Sequence, residues 1–194
     1  MRFRIFVVLF LVFCIALVIP GAGASEAAPK SVRSEAFSAL AQLPTVATTM
    51  NVRIDISGYS TEQEGKQLHA LLLDGGPDAL LKALRKMKSK GRIEPEGAIS
   101  FYDFKFILSK NTPTGRHIYA VADRPLSFLE SYFNTRSTDY PFGILELDLK
   151  GEGGKEKGEG TLIYAAKIRV IGGEKVDIEN FTFAPIKLLG VRQL

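Results

Sequence analysis

The sequence predicts an α+β protein: a largely antiparallel, strongly curved or barrel-like sheet of about seven strands with a helical pair packed against it. Three observations carry this expectation. Residues 49–57 set Met50, Val52, Ile54 and Ile56 against Asn51, Arg53, Asp55 and Ser57, the alternation of a half-buried strand. Residues 60–91 then repeat apolar side chains at helical spacing, in two runs parted by Gly75-Gly76. From residue 99 onward, short period-two segments alternate with Gly- and Pro-bearing turns, as in a succession of antiparallel strands.

The chain opens with Arg2 and Arg4, an unbroken apolar stretch over residues 5–19, and Pro20-Gly21-Ala22-Gly23-Ala24. This is the pattern of a secretory signal peptide over residues 1–24, with cleavage after Ala24. The apolar stretch is shorter than the roughly 20 residues of a spanning helix, which weighs against a retained anchor, and Phe13 before Cys14 is too bulky for a lipoprotein site. Cleavage removes Cys14, the one cysteine, so the expected mature chain has no disulfide, thiolate nucleophile or cysteine metal site. Without Arg2 and Arg4 the 25 basic residues become 23 against 21 acidic, a net +2, and nucleic-acid binding gains no support.

Residues 25–47, rich in Ala, Ser and Pro, read as an N-terminal tether, and residues 48–194 as a single α+β domain. Ser60 offers a cap for the first helix, whose stripe is Leu68, Leu71 and Leu72. Pro77 opens the second, with Leu80, Leu84 and Met87. The outer side of this pair is basic: Lys82, Arg85 and Lys86, with Lys88, Lys90 and Arg92 beside them. Such a side suits contact with anionic lipid head groups at a membrane surface or with an acidic envelope polymer, and a solvated face has the same composition.

Residues 99–109 and 116–123 are strand candidates, joined by a turn containing Pro113 and Gly115. Leu145, Leu147 and Leu149 share one face of residues 142–150. Residues 161–171 repeat the pattern with Leu162, Tyr164, Ala166, Ile168 and Val170 on one face, across a Gly-rich tip at 151–160. Gly172-Gly173 turns the chain into residues 176–183, and Ala184-Pro185 separates these from 186–192, spacing that predicts a meander.

Motifs that carry chemistry are sparse. The Gly-x-Ser-x-Gly, His-Glu-x-x-His, EF-hand and phosphate-loop patterns do not occur. His69 and His117 stand without a partner at ligand spacing, so no metal site, cofactor or catalytic residue is assigned. The polar stretches Asp123-Arg124-Pro125 and Arg136-Ser137-Thr138-Asp139-Tyr140-Pro141 set carboxylates and guanidiniums beside constrained turns. Asp123, Arg124, Arg136, Asp139 and Tyr140 are therefore the candidate ligand-binding residues, as a clamp for an anion or carboxylate. A network pinning two loops to the sheet would use the same side chains.

These stretches, continued through Phe142, Glu159-Gly160-Thr161-Leu162 and Ile178-Glu179-Asn180, resemble a family of small exported bacterial proteins with no assigned activity. The resemblance implies export and a single domain. The function expected is that of an exported, non-enzymatic binding or interaction protein of the periplasm or cell envelope, its partner an amphiphile or an envelope protein. An amphiphile's tail would enter an open sheet interior, with Lys82, Arg85 and Lys86 at its mouth. The alternative is a hydrolase or lyase acting on envelope material through the Asp123/Arg124 and Arg136/Asp139 loops.

Overall fold

A computed structural model describes residues 34–44, 48–126, 139–151, 154–173, 175–182 and 184–194. The elements are β1 (Glu35–Gln42), β2 (Thr49–Ile56), α1 (Glu62–Lys86), β3 (Gly91–Pro95), β4 (Tyr102–Phe104), β5 (Phe106–Thr112), β6 (Gly115–Ala122), β7 (Phe142–Lys150), β8 (Lys157–Ile171), β9 (Lys175–Asn180) and β10 (Ile186–Gln193). All the described strands join one 10-stranded sheet in the order β4-β3-β2-β1-β10-β8-β7-β6-β5, with β9 also on β8. Every pairing is antiparallel.

The two ends of that path, β4 and β5, are consecutive in the chain and separated by Lys105 alone, whose amide donates to the Val121 carbonyl (2.9 Å). They form one stave bent at Lys105, and the sheet becomes a nearly closed barrel. β9 and β10 likewise lie end to end along β8, since Ala166 pairs with Asn180 while Leu162 pairs with Ile186. Counting each of these two broken staves once, the ten strands make eight staves in up-and-down order.

The expectation of a curved antiparallel sheet with helix against it is met, with more strands than about seven. β3 supplies a strand where the sequence suggested only the end of a helix, and β4 and β5 share a segment read as one strand. β1 lies within the expected tether and completes the barrel between β2 and β10. Its inward residues, Phe37, Ala39 and Ala41, alternate, but two are alanines, so the apolar signal is weak although all three are buried. Ala184-Pro185 does not reverse the chain into a meander; it interrupts a stave that continues along β8.

The expected pair of helices is a single element. Gly76 (φ 71°, ψ −172°) breaks the helical backbone inside α1 before Pro77, at the glycines expected to end the first helix. Its N-cap is Thr61 rather than Ser60. The Thr61 hydroxyl accepts from the Glu64 amide (3.1 Å), and the Glu64 carboxylate accepts from the Thr61 amide (2.7 Å), a complete capping box. Ser60 instead ties the entry to β5: its amide donates to the Ile107 carbonyl (2.6 Å) and its hydroxyl accepts from the Ile107 amide (3.1 Å).

Two apolar clusters follow. Inside the barrel, Phe37, Val52, Ile54, Ile56, Ile93, Phe104, Ile107, Ile118, Leu145, Leu147, Leu149, Leu162, Tyr164 and Leu188 pack together. Outside, Leu72, Leu80 and Leu84 of α1 cover Phe142, Ile163, Ala166 and Ile168. β8 serves both clusters because its register with β7 shifts between Phe142 and Ile144, where Ala166 and Ile163 are the partners. Leu162, ahead of this bulge, and Tyr164, within it, face the interior. Beyond it Ala166, Ile168 and Val170 belong to the outer cluster, so the five do not share one face as the alternation suggested.

Candidate functional site

At the end of the barrel where β1, β6 and β8 begin, the inward positions change from apolar to charged. Arg116 sits in phase with Ile118, Ala120 and Ala122 on β6, and it meets Glu35 from the start of β1 and Glu156 from just before β8. Its Nε donates to Glu156 Oε1 (2.9 Å), Nη2 to both Glu156 Oε2 and Glu35 Oε2 (2.5 Å each), and Nη1 to Glu35 Oε1 (3.3 Å) and Tyr59 Oη (3.1 Å). Tyr59 passes its own proton toward Glu35 Oε2 (3.0 Å). All five guanidinium donors are thus engaged, two carboxylates each taking a bidentate fork. Burial opposes the Arg116 charge, but the bonds to Glu35 and Glu156 outweigh it and raise its pKa; burial likewise raises that of the Tyr59 hydroxyl. A guanidinium with every donor used has none left for a ligand, so this cluster is a plug that joins four segments of chain.

The rim where β6 ends and β7 begins is built differently. Asp123 follows β6 directly and is half-buried, and its Oδ1 is buried without a hydrogen-bond partner among the described residues. Arg124 is exposed, its Nη2 3.8 Å from Asp103 Oδ2. Leu126, fully buried, donates its amide to the Tyr164 carbonyl (2.8 Å) and so fastens this loop to the β8 bulge.

On the β7 side Asp139 is exposed, while Tyr140 is half-buried and donates its hydroxyl proton to Glu179 Oε1 (2.6 Å). Glu179 also pairs with Arg169 across β8 and β9. The Tyr140 ring meets Phe181 edge-on at 5.1 Å, and Phe181 meets Tyr164 at 6.2 Å. Four of the five expected binding residues therefore lie at one rim; the fifth, Arg136, falls outside the described residues. Phe181, Glu179 and Arg169 join them unforeseen.

The basic residues are not at a barrel mouth. Lys82, Arg85 and Lys86 are exposed on α1, which packs on the outer face of the sheet, so they cannot rim an opening into the interior. Lys90 and Arg92 have left the basic set for partners, Glu64 (2.8 Å) and Asp55 (3.5 Å). His117 Nδ1 is 3.9 Å from Asp148 Oδ1, too far for a hydrogen bond, and its ring lies beside Tyr119. Among the described residues no three His, Cys, Asp or Glu side chains gather in a metal-binding arrangement, and no helix is long and apolar enough to cross a membrane.

Position 116 carried a signal that sequence reading can use: a charged residue in phase with inward apolar ones needs buried partners. Its partners at 35, 59 and 156 follow only from closure of the barrel. No protein-family model, curated protein or solved structure matches the chain.

Proposed function

We propose that the protein is an exported, non-enzymatic binding or interaction protein of the periplasm or cell envelope, and that it holds its ligand at the rim formed by Asp123, Arg124, Asp139 and Tyr140. Two observations carry this reading: the Asp123 Oδ1 acceptor is buried without a donor among the described residues, and the aromatic pair Tyr140 and Phe181 stands at the same end of the barrel. An unpaired buried acceptor is destabilising by about 1–3 kcal/mol unless a donor arrives, and a ligand N–H or O–H is such a donor. The half-buried rings of Tyr140 and Phe181 offer apolar faces to the rest of the ligand.

Asp123→Ala separates the two roles open to this carboxylate. If it serves a ligand, the variant melts at or above the temperature of the native protein, because a desolvation penalty is gone. A small molecule or partner seen by native mass spectrometry on protein gently released from its own envelope then disappears. A lowered melting temperature with the bound mass unchanged would assign Asp123 to holding the loops instead. Turnover of an envelope ester or polymer, abolished by Asp139→Asn in a folded protein, would overturn the non-enzymatic reading.

A further inference from the structure

We infer that the protein forms a two-fold dimer by antiparallel pairing of β9 with β9 of a second copy. β7 begins at Phe142, opposite Ala166, and β1 ends at Gln42, opposite Lys187 on β10. The hairpin of residues 166–180, made by the end of β8 and all of β9, therefore projects past both neighbours. Among the described residues no strand lies on the far side of β9. The Phe181 amide donates to the Ala165 carbonyl (3.0 Å), in step with the register that sets Ala166 opposite Asn180 and Ile168 opposite Ile178. Odd-numbered residues of β9 thus bond to β8, and the N–H and C=O of Val176 and Ile178 point to the open edge. Such an edge is a template for another strand.

A second copy fits this edge because β9 is complementary to itself. One face of the hairpin carries Ile168, Val170, Val176 and Ile178, and the other carries Lys167, Arg169, Lys175, Asp177 and Glu179. The register that sets Val176 opposite Ile178 of the second copy also sets Lys175 opposite Glu179, each twice by symmetry, with Asp177 on the axis. The nearest registers that keep the two faces apart either oppose Asp177 to Glu179 or shorten the overlap to residues 175–177. In the favoured register Ile168, Ile178, Val176 and Val170 form an unbroken apolar row across four strands, and Lys167, Glu179 and Lys175 alternate in sign across three. The two Asp177 carboxylates meet on the axis, each with its own Arg169 directly opposite on β8. α1 covers Ile163, Ala166 and Ile168 of β8 but leaves Val170, Val176 and Ile178 half-buried, and the join extends their cluster into the second copy.

Cross-linking and sedimentation test the pairing. In a Cys14→Ser chain, which has no other thiol, Asp177→Cys sets two cysteines across the axis at a non-hydrogen-bonded pair, with Cβ atoms about 4.5–5.5 Å apart. Air oxidation is expected to convert most of this variant to a disulfide-linked dimer and little of Asn51→Cys, which is exposed on β2. The native chain should sediment as a dimer at micromolar concentration. Val176→Pro removes an outward N–H and no bond to β8, a position that tolerates proline, and should sediment as a monomer with its strand signal in circular dichroism intact. Should that variant fail to fold, Lys175→Glu, at an exposed position, turns both Lys175–Glu179 pairs repulsive and is expected to weaken the dimer roughly tenfold. A monomeric native chain, a dimer that Lys175→Glu leaves as tight, or cross-linking no greater at Asp177→Cys than at Asn51→Cys would each overturn the assignment.

Discussion

Arg116 places its five donors on Glu35, Glu156 and Tyr59, so its removal strands two carboxylates that are largely out of water. Arg116→Ala is expected to destabilise the protein by about 3–5 kcal/mol in denaturant titration, the range for breaking one side of a buried pair. Arg116→Lys should recover little of it, since an ammonium cannot fork to two carboxylates at once. Tyr59 adds a pH dependence. Burial holds its hydroxyl pKa above the ordinary 10.0, so the folded state keeps that proton more tightly than the unfolded chain. The stabilisation is complete below pH 10 and is lost as pH rises toward the folded value. Tyr59→Phe should flatten this alkaline loss while leaving the neutral-pH slope unchanged. At this scale the rim was more legible than the plug: Asp123, Arg124, Asp139 and Tyr140 stand out as charged or aromatic residues beside prolines. Glu35, Tyr59 and Glu156 are ordinary until the chain brings them together.

Individual elements carry their own tests. Glu64 both closes the Thr61 capping box and accepts from Lys90, and its carboxyl pKa is lowered, chiefly by the Lys90 hydrogen bond. A lowered pKa gives stability that is present above the ordinary 4.5 and lost as pH falls through the folded value. Glu64→Gln should therefore flatten the acid limb of the melting curve, and Thr61→Ala should remove about 1 kcal/mol at neutral pH. In β8, a Cβ added at Gly158 would lie 1.8 Å from the Asp148 carbonyl oxygen. Gly158→Ala is expected to destabilise by about 2–3 kcal/mol or more, because backbone must move to admit it. This close approach also explains why β8 starts at Lys157 inside a stretch that reads as a flexible tip: glycine marks tight strands as readily as turns. The β7 bounds were legible because one face of that strand is largely apolar and the other polar. The β8 bulge was not, because residues 162–166 are buried throughout and a strand apolar on both faces gives no phase to slip against.

For the molecule as a whole, closure is the governing fact, and it depends on the first and last strands of the described fold. The run of strands after residue 99 pointed to a curved sheet, but β1 had too few large apolar residues to be seen. The helix was legible as two runs because Gly76 does interrupt it; its place on the outer face was not, since the outer apolar residues of β8 read in phase with the inner ones. Leu84→Ala should separate the two clusters energetically, lowering stability by about 2–4 kcal/mol through the helix contact while leaving the strand signature of the circular dichroism spectrum in place. The pairing of β1 with β10 makes neighbours of the first and last strands of the fold. A ribosome delivers β1 more than 140 residues before the strand that must lie beside it, so no amount of early folding can seal the wall. Until residues 186–193 emerge, β1 and the first half of β8 each keep an unpaired edge, and the barrel stays open. A chain ending at Pro185 should accordingly lose the cooperative melt of the full protein. The eight residues of β10 act as a latch, and the barrel shuts only once they have emerged.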